Sequence, residues 1–452
     1  MRKLIVLASV LALGFTAAPA FASVQNVKIS GSIDSTYILR ENFEFNDLSA
    51  SGGKEEQSVF ITQTILQIDA DLTDNVAATI ALINERPWEG NPGSTASGVD
   101  LLRAYVTLRE MLYSPMTVVV GRQWFAFGNS FIFDAAGTNN SAPGDSGIAS
   151  VAADLTLQTN LDAIRVILDY NPLTITAFYG AVTPKSSGTL SDTDDSVNVW
   201  GLNAGYELGD DMNTLVEAYI FDKKDKSEDA NTAPFNEVDH LKVVGTRFST
   251  TPLEGINLQG EIAHQGGTRI NSPSSNSKQT RDSWAFQALA NYQVPVLKDY
   301  NPVVSFEWTK LYGDEGTTTD EDYKGWDPFF ENQDGGTIYN TLFNFTNLEM
   351  YTVGFAFSPM EDVSTKLSAT KLMLNQDNDG STFSLVQPDG TNATVNTHAG
   401  QKELGTEIDG VITYDYTEDV RFGLNVGVFK PAGIFLANDS AKQVLANVRV
   451  AF

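Results

Sequence analysis

Arginine suits the recognition of anions, because its guanidinium stays charged and can bond a carboxylate through two parallel hydrogen bonds. Arg103, Arg122, Arg165 and Arg247 each stand in a stretch where apolar and polar residues alternate, on the side away from the apolar set. Arg421, Arg449 and Lys366 take the same side. A turn near Tyr113 is expected to set Arg103 nearly opposite Arg122, with Val106 against Val119 and Ala104 against Gly121; Arg165 begins the next such stretch. Like charges opposed on neighbouring strands repel. Such a group needs carboxylates of its own or a visiting anion. Carboxylates fall on the same side at Glu261, Glu307, Glu407 and Asp409, and a turn at Glu418 places Asp415 opposite Arg421. Acid and base facing each other across a bore would create a transverse field that orients polar solutes.

Catalysis finds less to work with. The three histidines, His240, His264 and His398, stand without an evident Ser or Asp constellation, and nucleophilic catalysis needs a base held beside its nucleophile. No catalytic residue is expected. Cysteine is absent, which excludes disulfides and thiolate metal sites. Neither a metal site nor a cofactor is expected; the stretch "DNDG" at 377–380 is only a fragment of a calcium-binding loop. A formal net charge of −28 argues against nucleic acid as a partner, because that association is dominated by neutralising phosphates.

These side chains need elements to hold them. Residues 1–22 read as a secretory signal peptide: Arg2 and Lys3, an apolar run over 4–15, then small residues ending in Ala20, Phe21 and Ala22. The remainder, 23–452, reads as one domain. No later run approaches the roughly 20 apolar residues of a membrane helix. Instead, dyad alternation recurs in eighteen segments of the length and period of tilted transmembrane strands. They fall at about 27–40, 57–72, 76–86, 99–110, 116–124, 162–170, 173–181, 197–208 and 214–221. The second half adds 240–249, 255–265, 283–293, 302–312, 348–358, 363–373, 404–416, 420–430 and 441–452.

The connections sharpen this. Short links at 73–75, 171–172, 209–213, 358–362 and 417–419 alternate with long ones at 41–56, 125–161, 222–239, 266–282, 313–347 and 374–403. That layout predicts an all-β transmembrane antiparallel up-and-down barrel of 18 strands, with short periplasmic turns and long extracellular loops. Register supports it, since lipid-facing residues in a hairpin must lie opposite one another. A turn at Asp74 sets Leu72, Ala70, Ile68 and Leu66 against Val76, Ala78, Ile80 and Leu82. A turn at Asp211 sets Tyr206, Ala204 and Leu202 against Val216, Ala218 and Ile220. Trp200, Tyr206, Tyr292, Trp308, Tyr351 and Tyr416 near strand ends fit interfacial girdles. Eighteen strands would enclose an aqueous lumen, and much of the acid is expected in the outer loops.

The stretches "VVVGRQWFAFGNSFIFD" (118–134), "DAIRVILDY" (162–170), "FEWTKLYGDEG" with "GWDPFF" (306–316, 325–330) and "LGTEIDGVITYDYTEDVRFGLNVGVFKPAG" (404–433) resemble the alginate-export family of outer-membrane barrels. The resemblance implies an eighteen-stranded monomeric barrel that passes a polyuronate through an arginine-rich lumen. It also implies that Arg122 and Arg165 match lumen arginines; Arg103 is added from register. The expected function is a passive bacterial outer-membrane channel for an anionic saccharide or a polyuronate-type polymer, the alternative being a general or nutrient-specific porin for small hydrophilic solutes. Expected partners are outer-membrane lipid, the solute, and barrel-assembly machinery that recognises the terminal aromatic, Phe452. That final run, "VLANVRVAF", is expected to be the strand that closes the barrel.

Overall fold

The computed structural model describes residues 25–45, 56–88, 98–134, 146–183, 197–226, 238–272, 277–315, 322–331, 337–377 and 380–452, without the side chains of 271, 272 and 277. The signal peptide and the centre of "DNDG" lie outside the described residues. In chain order the first strands are β1 (Asn26–Glu41), β2 (Glu56–Thr73), β3 (Val76–Pro87), β4 (Asp100–Arg109), β5 (Met116–Gln123), β6 (Leu161–Asp169) and β7 (Leu173–Thr183). Next come β8 (Val197–Glu207), β9 (Leu215–Asp225), β10 (Asp239–Leu253), β11 (Ile256–Ser272), β12 (Ser277–Gln293), β13 (Val303–Leu311) and β14 (Asp322–Tyr323). The last are β15 (Leu348–Met360), β16 (Val363–Leu374), β17 (Thr382–Val386), β18 (Asn392–Asn396), β19 (Glu403–Asp415), β20 (Val420–Pro431) and β21 (Ala441–Ala451). Two one-turn helices, α1 (Ala149–Ala152) and α2 (Tyr339–Leu342), lie in long connections.

Apart from β14, β17 and β18, the strands form one closed antiparallel barrel of eighteen. The seam joins β21 to β1, from Ser32 opposite Ala451 to Glu41 opposite Lys442. Beyond it Gly31 N donates to Phe452 O (2.8 Å) and Phe452 N to Gly31 O (3.0 Å). Closure leaves no strand edge unpaired, the condition for crossing hydrocarbon. The outer face carries exposed Ile68, Ile80, Val120, Ile164, Leu202, Val244, Phe306, Val353, Ile408 and Leu424.

The predicted registers at Asp211 and Glu418 are those observed. At Asp74 the pairs Leu66/Leu82, Ile68/Ile80 and Ala70/Ala78 form, while a bulge between Asp71 and Thr73 sets Thr73, not Leu72, opposite Val76. The β4–β5 hairpin differs by one residue: Val106 faces Val120, Tyr105 faces Gly121 and Ala104 faces Arg122. A one-residue slip moves every side chain of β5 to the other face. The stretch expected as a loop at 266–282 is mostly strand, since β11 and β12 run to 17 residues each. Its polar residues carry no apolar alternation, which strand beyond the hydrocarbon does not need.

The buried core lies inside the bore, towards the long-loop end. Segment 124–134 turns inwards, and Phe125, Phe131, Ile132 and Phe133 pack with Phe178 of β7, Phe221 of β9, and Phe329 and Phe330 of a second inward segment. Ring centroids are 4.8 Å apart for Phe125 and Phe178 and 5.2 Å for Phe133 and Phe221. Ile148 and Ala152 cover Ile38 and Ile61 of β1 and β2. Phe343, just after α2, meets Phe429 of β20 and Phe383 of the β17–β18 hairpin. The barrel wall answers with inward Val199, Leu241, Val243, Leu311, Leu348 and Leu372. Burial of this apolar surface drives the loops into the bore, so the long-loop half has a filled interior in which apolar residues mix with polar ones, while in the short-turn half Asp69, Asn203, Asn291, Ser305 and Asn447 share the inward side by register.

Candidate functional site

Polar clamps fasten the inward loops to the wall. Glu85 of β3, 2% exposed, accepts from Gln63 Nε2 (2.8 Å), Ser146 Oγ (2.8 Å), Leu157 N (2.8 Å), Thr156 Oγ1 (3.0 Å) and Gln158 Nε2 (3.1 Å). Arg40 at the end of β1 is buried and bonds Asp154 Oδ2 at 2.5 Å and Gln443 Oε1 at 2.5 Å. On β19, Glu407 accepts from the backbone N–H groups of Ile338 (2.8 Å) and Tyr339 (2.7 Å), and Asp409 from Thr337 Oγ1 (2.7 Å). Buried charge is tolerated where it is paired and fully bonded.

These clamps redefine the carboxylates named from sequence. Glu407 and Asp409 face the bore as expected, but they hold the start of α2. Glu261 accepts from Tyr219 Oη at 2.7 Å and stands opposite Arg247. Glu307 accepts from Gln287 Nε2 (3.2 Å) and Thr309 Oγ1 (3.2 Å). Glu85, Arg40 and Asp154 were missed by sequence reasoning; the signal available was that Arg40 and Glu85 are inward charges at the long-loop ends of their strands.

The arginines divide. Arg103 faces inwards opposite buried Ala81. Arg165 faces inwards opposite Val119 and Phe178, with its guanidinium 5.0 Å from the centre of the Phe125 ring and one long bond to Trp124 O (3.5 Å). Among the described residues neither meets a carboxylate. Tyr105 lies between them in the row Tyr105, Gly121, Ala163. Arg247 also faces inwards, but it is ion-paired with Glu217 and donates to Gln259 Oε1 (2.7 Å). Gly128 of the inward loop sits against it: a Cβ there would come within 3.0 Å of Arg247 Cδ.

Arg122 does not join the lumen group. Its partners are Ala104 and Asp162, in the face shared by Val120 and Ile164, and it lies 3.5 Å from Asp162 Oδ2 on the outside of the barrel. The cause is the one-residue difference at the β4–β5 turn. The predicted Asp415–Arg421 bridge is present at 2.5 Å. His240 and His264 bond Asp222 (2.6 Å) and Asp282 (2.9 Å), pairs that lie on the outward side of β9 to β12 by register. No cluster of three His, Cys, Asp or Glu side chains suited to a metal ion occurs among the described residues.

A family model described as alginate export matches residues 32–447. Among solved structures, Pseudomonas aeruginosa OccK2 (OpdF) in complex with glucuronate is similar at a TM-score of 0.56 and 11% identity, over 95% of this chain and 98% of that one. The P. aeruginosa outer membrane protein OpdK gives 0.54 at 10% identity over 95% and 100%. P. aeruginosa OccD3 (OpdP) gives 0.55 at 13% over 95% and 92%. No curated protein matches the sequence.

Proposed function

The chain belongs to the alginate export family and forms a channel of the bacterial outer membrane, and from that premise we propose that it passes anionic saccharides passively, with Arg103 and Arg165 as their contacts. The observation that carries this reading is the contrast between these two arginines and their surroundings. They face the bore without a carboxylate among the described residues, whereas Glu85, Glu407 and Asp409 are taken up by loop clamps. An arginine pair left uncompensated in a lumen attracts anions, and guanidinium suits a carboxylate bidentately.

The inward segments bear on solute size. They take up the long-loop end of the bore, which favours a uronate or short oligouronate over a threading polymer. This also supports the second reading, a porin for small hydrophilic solutes in which the same arginines form a constriction. Glucuronate in OccK2 and vanillate in OpdK are both carboxylates, in keeping with either.

Planar-bilayer recording separates them. Wild type is expected to show an anion-directed reversal potential in a salt gradient and block by oligouronates. The variant R103A/R165A should lose the selectivity and weaken the block by about tenfold or more, the value of a charged hydrogen bond. R122A should leave both unchanged. A cation-selective pore that oligouronates do not block would overturn the reading.

A further inference from the structure

The two inward segments meet at a seam that holds two buried carboxyls, Asp134 and Glu331. Phe330 N donates to Ile132 O (3.1 Å) and Asp134 N to Phe330 O (2.7 Å). The Phe133 ring centre lies 5.1 Å from that of Phe330 and 5.6 Å from that of Phe329. Glu331 follows directly, 5% exposed, and its Oε2 has no hydrogen-bond partner among the described residues. We propose that this seam is a pH-responsive gate: ionisation of Glu331 loosens the contact between segments 124–134 and 326–331 and widens the passage.

The surroundings of Glu331 make the carboxyl sensitive. The rings of Phe133, Phe329 and Phe330 make the seam beside it apolar, and the cation acting on it is Lys223 of β9, whose Nζ lies 5.4 Å from the Phe330 ring centre and 5.7 Å from that of Phe329. Lys223 is shared, since Asp327 of the same segment, Asp225 of β9 and Asp239 of β10 also act on it. Asp327 and Asp239 are in turn held by Arg281 of β12 (2.7 and 3.1 Å). Asp134, on the facing segment, accepts from Ser130 Oγ at 2.9 Å. Burial pushes the Glu331 carboxyl up to about 7, against a smaller downward pull from backbone hydrogen bonds and Lys223.

The sign follows from linkage. A carboxyl raised in the packed seam and ordinary when hydrated favours the packed state at low pH, and that advantage is lost as pH rises from the ordinary carboxyl range through about 7. Across pH 5 to 8 the open-to-closed ratio should rise by up to about 70-fold.

Single-channel recording of the full chain in potassium chloride from pH 5 to 8 tests this with no organic solute, so the outcome does not depend on which anion is carried. Wild type should open more as pH rises, with a midpoint near neutrality, and E331Q should stay in the low-conductance state throughout. Folding of each variant is verified by heat-modifiable migration. As a second arm, Phe133→Cys with Phe330→Cys joins paired positions in a chain without cysteine. Oxidation should abolish the response and reduction should restore it. A flat wild-type profile, or an unchanged pH response in E331Q or in the oxidised double variant, would overturn the proposal.

Discussion

Arg122 and Arg165 have the same side chain on adjacent strands, yet one residue of register sends Arg122 outwards to Asp162 and leaves Arg165 against Phe125 in the bore. Their energetics differ from those of the buried pair. Arg40 and Asp154 are 2% and 6% exposed, so Asp154→Ala leaves a buried charge unpaired and is expected to cost about 3–5 kcal/mol. Arg122 and Asp162 are 35% and 60% exposed, so Asp162→Ala should cost less than about 1 kcal/mol. Denaturant midpoints of the refolded barrel measure both; equal losses would contradict the assignment of one pair to the interior and the other to the surface. The Asp415–Arg421 bridge was legible in sequence because a three-residue turn fixes who faces whom. The donors to Glu85 were not, because four of the five lie in a loop more than 60 residues further along the chain.

At the scale of elements, alternation located all eighteen barrel strands, and turns made of a few residues located most registers. The β4–β5 turn misled because its backbone is irregular: Glu110 adopts a positive φ of 51°, and Met116 N bonds Tyr113 O at 2.9 Å within the turn. Gly121 then takes a φ of 126°, and a Cβ there would strike the Ala104 carbonyl oxygen. Gly121→Val should therefore disrupt the hairpin that sets Arg122 outside, lowering the yield of heat-modifiable barrel. Val120→Ala, on the lipid face beside it, serves as the control and should retain most of that yield. Comparable yields from the two variants would show that this glycine is not needed for the register.

For the whole molecule, the seam between β1 and β21 is the closing step, and Phe452 completes it through two backbone bonds to Gly31. The aromatic ring also needs Gly31, since a Cβ at that position would lie 2.8 Å from Phe452 Cζ. Deleting Phe452 is expected to slow assembly and to leave more heat-unmodified chain in membrane fractions; unchanged yield would count against the proposal that this residue acts in assembly. The sequence by itself determined the barrel, its strand count and its apolar outer face, because those follow from a two-residue period and from short turns, both local properties. Tertiary structure alone decided what fills the bore. The inward turn of segments 124–134, 146–158, 326–331 and 337–345 rests on contacts between residues far apart in sequence, such as Phe133 with Phe330 and Glu407 with Ile338. Periodicity registers which side of a strand is apolar, but it carries no information about which distant loop will come to lie against it.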